Sequence, residues 1–371
     1  MCGIAGYIHF NRDKNANKEV LKRMTDVIAY RGPDGEGFYI DKNVALGHRR
    51  LSIIDLNTGD QPMISDDGTK VIVFNGEIYN YIEIRDQLKK FGYTFKTNSD
   101  TEVILNAFDK WGYDCQNMFN GMWAFAIWDT KKEELFLSRD RIGEKPLHYC
   151  ISDNNLIFGS EIKSIFSFGV IREIRPELIE LYLSLTNIPA PNTFYKNIYK
   201  LMPGHFLIIK DGGLKEYKYW DLPQLDELNM LTNKKEIYNT FQDLFNDAIK
   251  IRMRSDVPFG AFLSGGLDSS SIVAQMSKLS SIPVKTFTIG FSHKEFDESK
   301  LAEEVALKFK TEHYLDTVAA ENFEAYLKHA VVHFDEPFGD SSAIPTNIVS
   351  AFASKKVKMV LTGDGGDEVL S

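Results

Sequence analysis

Two hydrophobic rhythms share this chain, and the change between them limits its architecture more than any single residue does. Up to about residue 210 the apolar residues come in short runs bounded by Gly, Asp and Asn. Lys70-Val71-Ile72-Val73-Phe74 and Glu134-Leu135-Phe136-Leu137-Ser138 are examples, and runs of this length between turn formers predict strands. Helical spacing interrupts them at 17–29, where Val20, Leu21, Met24 and Ile28 share a face, and again at 81–91. Sheets covered by helices follow from that mixture. The stretch 211–233 is polar, aperiodic and broken by Gly212, Gly213 and Pro223, which predicts a linker. A helix is then predicted over 234–254, with Ile237, Phe241, Leu244, Phe245, Ala248 and Ile249 as its apolar stripe. Strands at 259–263, 284–291 and 357–361 alternate with helices at 269–279, 297–309, 321–334 and 343–355. That order implies a parallel, doubly wound sheet, with its ligand at the carboxyl ends of the strands.

Length and charge narrow the function. A chain of 371 residues suits two domains. Its net charge of -9 disfavours a nucleic-acid partner, which would be repelled. No apolar run approaches the ~18 residues of a membrane span, and the start lacks a signal-peptide pattern. Three cysteines cannot make a disulfide framework, so a reducing cytoplasm is the expected compartment.

One of those cysteines is Cys2, directly behind Met1. Loss of Met1 puts a thiol and a free α-amine on one residue, so nucleophile and base coincide; a buried terminal cysteine is the plain alternative. Amide hydrolysis by a thiol also needs oxyanion donors and a grip on the substrate. Asn75-Gly76-Glu77 follows an apolar strand and offers an amide side chain beside an unhindered N–H, although a β-turn explains Asn-Gly as well. Arg50 can clamp a carboxylate bidentately or lie on the surface. Asp100 can hold an ammonium group or cap the helix after it. His48 reads as structural, because the Cys2 amine removes the need for an imidazole base.

These segments occur in a set order: Met1-Cys2-Gly3-Ile4-Ala5-Gly6, Arg31-Gly32-Pro33-Asp34-Gly35, Gly47 to Ile53, Asn75 to Asn80 and Ser99 to Glu102. Gly121 to Ala126 and Arg139 to Leu147 extend the series. The set resembles the class II glutamine amidotransferase domain of the glutamine-hydrolysing asparagine synthetase family, over about residues 1–210. The resemblance implies an α+β N-terminal-nucleophile αββα sandwich in which Cys2 attacks the glutamine amide. It makes Asn75 and Gly76 the oxyanion hole, and Arg50, Glu77 and Asp100 the holders of the glutamine backbone groups. Leu51, Ser52, Ile53 and Ile54 then line the pocket.

The second rhythm carries its own loops. Ser264-Gly265-Gly266-Leu267-Asp268-Ser269 lies between a strand and a helix. Its glycines and the hydroxyls of Ser264 and Ser269 can cradle phosphate at a helix N-terminus, or form a bare connection. The GK[ST] ending of a Walker loop is missing. Thr362-Gly363-Asp364-Gly365-Gly366-Asp367-Glu368 follows another apolar strand and can hold Mg²⁺, or be a solvated turn. With Phe334 to Thr346, these loops resemble the ATP-pyrophosphatase signature of the same family, an α/β doubly wound domain over 234–371. The resemblance implies that Leu263, Ser264, Gly265, Gly266, Asp268, Ser269, Ile289, Thr362 and Gly363 contact ATP. The same resemblance implies that Asp268 and Asp367 hold Mg²⁺ and that Asp364 aids adenylate formation.

The implied activity is ATP-dependent amidation of aspartate by ammonia that Cys2 releases and an internal tunnel delivers. The alternatives are amidation of a sugar acid or another carboxylate, or an ammonia-supplying partner subunit. A homodimer is the candidate oligomer. Family members usually continue well past residue 371, so the acceptor half of the synthetase domain is expected to be missing from a truncated or split chain.

Overall fold

The computed structural model describes residues 1–224, 226, 230–291, 295, 297–318 and 323–370. They form two units: Met1–Pro223 with Phe334–Gly339, and Gln224–His333 with Asp340–Ser371.

In the first unit β1 (Gly3–His9), α1 (Lys18–Asp26), β2 (Gly35–Asp41) and β3 (Val44–Arg50) are followed by β4 (Met63–Ile64) and β5 (Lys70–Ile78). Helices α2 (Tyr81–Lys90) and α3 (Asp100–Trp111) lead to β6 (Gly121–Asp129), β7 (Glu134–Arg139), β8 (His148–Ser152) and β9 (Asn155–Gly159). Then come α4 (Ile162–Phe168), α5 (Ile179–Leu185), β10 (Ile198–Lys200), β11 (His205–Lys210) and β12 (Gly213–Lys218). The strands make two six-stranded sheets, ordered β10-β8-β9-β1-β3-β2 and β12-β11-β7-β6-β5-β4.

Alternation along the strands builds the layers. On β1, Ile4 and Ile8 join the core between the sheets, while Ala5 and Tyr7 pack with Leu21 and Met24 of α1 and Ile162 and Ile165 of α4. On β5, Val71 and Val73 face the same central core, whereas Ile72 and Phe74 meet Ile84 of α2 and Val103 and Leu105 of α3. Both faces of each sheet are covered, so β1 is buried throughout instead of alternating between core and solvent. Helix α1 starts where the Asn17 side chain accepts from the backbone N–H of Glu19 at 2.7 Å. The result is an αββα sandwich.

The second unit holds α6 (Lys234–Arg252), β13 (Phe259–Phe262), α7 (Leu267–Leu279), β14 (Lys285–Phe291), α8 (Ser299–Phe309) and β15 (Glu312–Val318). They are followed by α9 (Phe323–Phe334), α10 (Ala343–Ser354), β16 (Met359–Leu361) and α11 (Gly366–Leu370). Its four strands, ordered β15-β14-β13-β16, are all parallel. Ala261 of β13 packs with Ile249, Val273, Met276 and Ala302, while Phe262 beside it faces Phe287, Val349 and Ala353. Helices therefore cover both faces of a doubly wound sheet.

Three differences from the sequence reading have physical causes. The polar stretch 211–233 is not linker throughout, because Gly213–Lys218 pairs with β11 as an edge strand. Strand β15 was not expected either; it too is an edge strand and lacks a clean apolar pattern. The helix expected over 321–334 begins at Phe323, and residues 321–322 lie outside the described residues.

Candidate active site

Cys2 stands immediately before β1, a strand held on both sides by β3 and β9. Gly3 is paired with Arg49, so the thiol sits against the exit of β3. There the Leu51 N–H donates to Cys2 Sγ at 3.3 Å, and Sγ lies 3.6 Å from the Leu51 carbonyl. The Cys2 carbonyl accepts from Arg31 Nε at 2.9 Å. Burial pushes the thiol pKa up, with Asp100 adding to the rise, while the Leu51 contact opposes it. Burial also lowers the α-amine, here that of Met1, to about 6; Arg31 and Lys145 push the same way. An amine neutral at pH 7 can accept a proton. His48 cannot compete, since burial lowers it to about 3 and its Nε2 lies 3.1 Å from the Phe74 carbonyl.

Asn75, Gly76 and Glu77 come from the middle and end of β5 instead of a turn, so the β-turn reading of Asn-Gly does not hold. Asn75 is fully buried, and neither its Nδ2 nor its Oδ1 has a partner. A buried amide without partners costs on the order of 1–3 kcal/mol, a cost that a bound polar ligand can remove. At Gly76 an added Cβ would lie 2.0 Å from the Met122 carbonyl oxygen on β6, so only glycine permits this strand approach.

Glu77 is buried with Oε1 unpartnered, and its pKa is pushed up to about 8, by burial and then by Asp100. Asp100 opens α3. It is raised to about 6 by burial, although its Oδ2 accepts from the Ile78 N–H at 3.0 Å. The cap itself is Ser99, whose hydroxyl accepts from Thr101 N–H at 3.1 Å, so Asp100 is not needed in that role. Two neighbouring buried carboxyls held above their ordinary range make a place for a cation.

Arg50 ends β3 and is nearly buried. One terminal nitrogen donates to Asp60 Oδ1 at 2.7 Å and to the Leu56 carbonyl at 3.3 Å, and the other to the Asp55 carbonyl at 2.5 Å. The guanidinium is therefore already engaged where the resemblance places a substrate carboxylate. The Asp60 side chain is 83% exposed and that of Arg50 9%, so the pair opens to solvent on its Asp60 side. Leu51, Ser52, Ile53 and Ile54 follow as an irregular, half-buried stretch, with the Ser52 N–H donating to Asp34 Oδ2 at 2.9 Å.

In the second unit, the loops after β13 and β16 leave neighbouring strands at their carboxyl ends. Ser264 Oγ lies 3.0 Å from Ser269 Oγ and accepts from the Gly266 N–H at 3.2 Å, folding the first loop over the start of α7. Gly265 has φ +85, and a Cβ there would lie 2.6 Å from Leu301 Cβ. The second loop closes on the first: a Cβ on Gly363 would lie 3.0 Å from the Ser269 backbone nitrogen, and one on Gly366 2.4 Å from Asp268 Oδ2. Thr362 donates to Asp364 Oδ2 at 2.9 Å. Leu263 is buried, donating its N–H to Phe287 O at 2.9 Å, and Ile289 lies on β14. Among the described residues no three acidic, imidazole or thiol groups form a metal cluster. An ion that also binds nucleotide phosphates needs only one or two carboxylates. Asp268 lies against Gly366, the residue before Asp367, which leaves these two carboxylates as the candidates.

The sequence reading assigned no role to Lys145 or Arg31. Lys145 is nearly buried, and its charge acts on both Glu77 and the terminal amine. Its loop is set by Asp140, which accepts from the backbone N–H groups of Gly143, Glu144 and Lys145 at 2.6, 2.8 and 2.9 Å. A lysine in a Gly-containing loop carries no signal of burial, so only the fold reveals it.

Residues 1–220 match the glutamine amidotransferase domain family, and residues 240–371 the asparagine synthase family. The whole chain is 43% identical to putative asparagine synthetase (glutamine-hydrolyzing) 2 of Methanocaldococcus jannaschii, covering 75% of that protein. It is 38% identical over its whole length to asparagine synthetase (glutamine-hydrolyzing) 1 of Bacillus subtilis, covering 58% of that protein. Amidase chyE of Penicillium rubens is 30% identical over 99% of this chain, which covers 58% of it. The chain thus spans well under two thirds of the latter two relatives. With a glutamine amidotransferase sandwich followed by the start of a synthetase sheet, this chain belongs to the glutamine-hydrolysing asparagine synthetase family.

Proposed function

We propose that this chain hydrolyses glutamine at Cys2 and uses ATP to activate a carboxylate, aspartate being the leading acceptor, for amidation by the released ammonia. After loss of Met1, the Cys2 amine takes the thiol proton and the thiolate attacks the glutamine side-chain carbonyl. The oxyanion is held by Asn75 Nδ2 and the Gly76 N–H. The amine returns its proton to the departing ammonia, and water cleaves the thioester to glutamate. Glu77 and Asp100 hold the substrate ammonium, Arg50 its carboxylate, and Leu51 to Ile54 its stem. At the second site the acceptor carboxylate displaces pyrophosphate from ATP, giving an acyl-adenylate whose carbonyl ammonia then attacks, breaking the acyl–phosphate bond and releasing AMP and a proton with the amide. Ser264, Gly265, Gly266, Ser269, Thr362 and Gly363 cradle the nucleotide beside Leu263 and Ile289, with Asp364 assisting adenylation. Asp268 and Asp367 would hold Mg²⁺, which neutralises phosphate charge when bound.

The observation that supports this reading most is the unpartnered Asn75 amide next to Glu77, a buried carboxyl whose Oε1 has no hydrogen-bond partner and which Asp100 helps to hold above its ordinary pKa. The test supplies glutamine labelled with ¹⁵N in its amide, ATP and a panel of carboxylic acids. Labelled asparagine with pyrophosphate and glutamate is the expected result; glutamine left intact by protein with a free Cys2 amine refutes the reading. Similarity to an amidase favours a second reading in which another carboxylate takes the nitrogen. It predicts label in a different acid from the same panel. Free cysteines at 2, 115 and 150 suit the cytoplasm, and no described helix is long and apolar enough to cross a membrane.

A further inference from the structure

The segment Phe334–Gly339 lies in sequence between the bodies of α9 and α10, yet it belongs to the first unit. Its two acidic residues leave no carboxylate oxygen unused. Asp335 Oδ1 lies 3.1 Å from Lys163 Nζ, and Oδ2 accepts from the Lys163 backbone N–H at 3.0 Å. Glu336 pairs with Lys200 through one oxygen and accepts from the Phe194 N–H at 3.0 Å through the other. Tyr195 donates its hydroxyl to the Asp335 carbonyl at 2.9 Å, and the Gly339 N–H donates to Thr186 O at 2.8 Å. Asp335 itself has φ 63, a left-handed conformation rare outside glycine, asparagine and aspartate.

The Asp335 contact continues inward. Lys163 Nζ also pairs with Glu161 and lies 3.1 Å from the Tyr30 hydroxyl, which itself donates to Glu161. Glu161 Oε1 in turn lies 2.7 Å from a terminal nitrogen of Arg31. Arg31 Nε holds the Cys2 carbonyl. The charges alternate, Arg31, Glu161, Lys163, Asp335, and the four side chains are only 8%, 8%, 16% and 11% exposed. In such a setting each ion is fixed by the next, and deleting an end member leaves a charge that re-pairs elsewhere. Without Asp335, Lys163 loses its outer carboxylate, and without Lys163 the carboxylate of Glu161 loses its second cation; either change lets Glu161 move. Arg31 then loses the anchor that sets its reach to Cys2.

We infer that Asp335 is a positioning residue for Cys2, acting through Lys163, Glu161 and Arg31, so that thiol reactivity depends on this run of charges and not on how firmly the rest of segment 334–339 is held. This rests on the proposed role of Cys2 as nucleophile. Thiol and amine sit on one residue, so displacing its backbone misplaces both together, and small misplacements of reacting groups lower rates steeply.

The experiment uses the full chain with Met1 removed and two readouts. One is the rate of Cys2 alkylation by iodoacetamide, followed by intact mass; the other is kcat and KM for glutamate release. The variants are Asp335→Asn, Lys163→Met, the pair combined, Asp335→Glu, and Glu336→Gln as a control that loosens the same segment outside the chain of charges. Expected are about five- to twentyfold losses in alkylation rate and kcat for the first two. The KM should stay within about twofold, the double variant should be no worse than the worse single, and Asp335→Glu should recover part of the loss. Glu336→Gln should stay within about twofold of the parent. Losses that multiply in the double variant, or Glu336→Gln losing as much as Asp335→Asn, overturn the assignment, as does an unchanged Asp335→Asn. If Asp335→Asn does not fold, Lys163→Met against Lys163→Arg decides: equal alkylation rates overturn it. Parent protein that alkylates at Cys2 but releases no glutamate sinks the glutaminase reading, while the alkylation comparison still judges this one.

Discussion

Glutamine binding should expel a proton, and the amount follows from Glu77. In the empty site its carboxyl is pushed up to about 8 by burial and by Asp100, so at pH 7 it carries roughly 0.9 of a proton. Asp100, raised to about 6, is mostly ionised there. A substrate ammonium brought within ~4–6 Å lowers such a pKa by ~1–3 units. Binding therefore releases roughly 0.4–0.9 of a proton at pH 7, and affinity rises about two- to eightfold from pH 6 to pH 7. The sign is fixed, because the bound state prefers ionised Glu77: affinity grows with pH and levels off near and above pH 8. Titration calorimetry of glutamine into a Cys2→Ser variant, in two buffers of different ionisation enthalpy, measures the proton directly. Glu77→Gln should abolish the release and weaken binding. A proton count near zero in the parent, with affinity flat between pH 6 and 8, would refute the idea that this carboxyl pair awaits an ammonium.

Four other outcomes follow from the same geometry. Glu77 is raised from an ordinary 4.5, so its stability contribution is present below about pH 4.5 and is lost as pH rises towards 8. Glu77→Gln should therefore match the parent in urea at pH 4 and exceed it by a few kcal/mol at pH 8. Gly76→Ala places a Cβ 2.0 Å from the Met122 carbonyl oxygen and should cost about 1–3 kcal/mol of unfolding free energy along with glutamate release. Gly366→Ala, whose Cβ would lie 2.4 Å from Asp268 Oδ2, should stop pyrophosphate release and leave glutamate release untouched. Cys2→Ala should lose glutamate release entirely while amidation driven by added ammonium salts continues, as parallel product assays would show.

Much of this architecture is legible because apolar period and turn residues report what a segment buries. The runs at 70–74 and 134–138 lie within β5 and β7, and the switch to strand–helix alternation marks the parallel sheet. Edge strands are harder to read. β12 and β15 are rich in polar and charged residues, which is what an unpaired edge requires and also what a loop looks like. The candidate residues Cys2, Asn75, Glu77 and Asp100 were readable as motifs, whereas Lys145, Arg31, Glu161 and Asp335 act through burial and neighbours distant in sequence. Nothing local tells a buried lysine from a solvated one. Arg50 is different again: its motif offers a carboxylate clamp or a surface arginine, and the fold buries it against oxygens from 55–60, which no local pattern announces.

The placement of β1 has a consequence for biosynthesis. Its partners are Val44–Arg50 and Asn155–Gly159, so the first strand to leave the ribosome must wait for some of the last in its sheet. Until residue 159 has emerged, β1 can pair on one side only, with β3. Once the sheet closes, the segment that carries Cys2 is fixed on both sides, while Met1 itself stays 55% exposed. A pause in translation that delays the arrival of residues 155–159 would therefore delay closure of this sheet around β1, whereas one that falls after they have emerged would not.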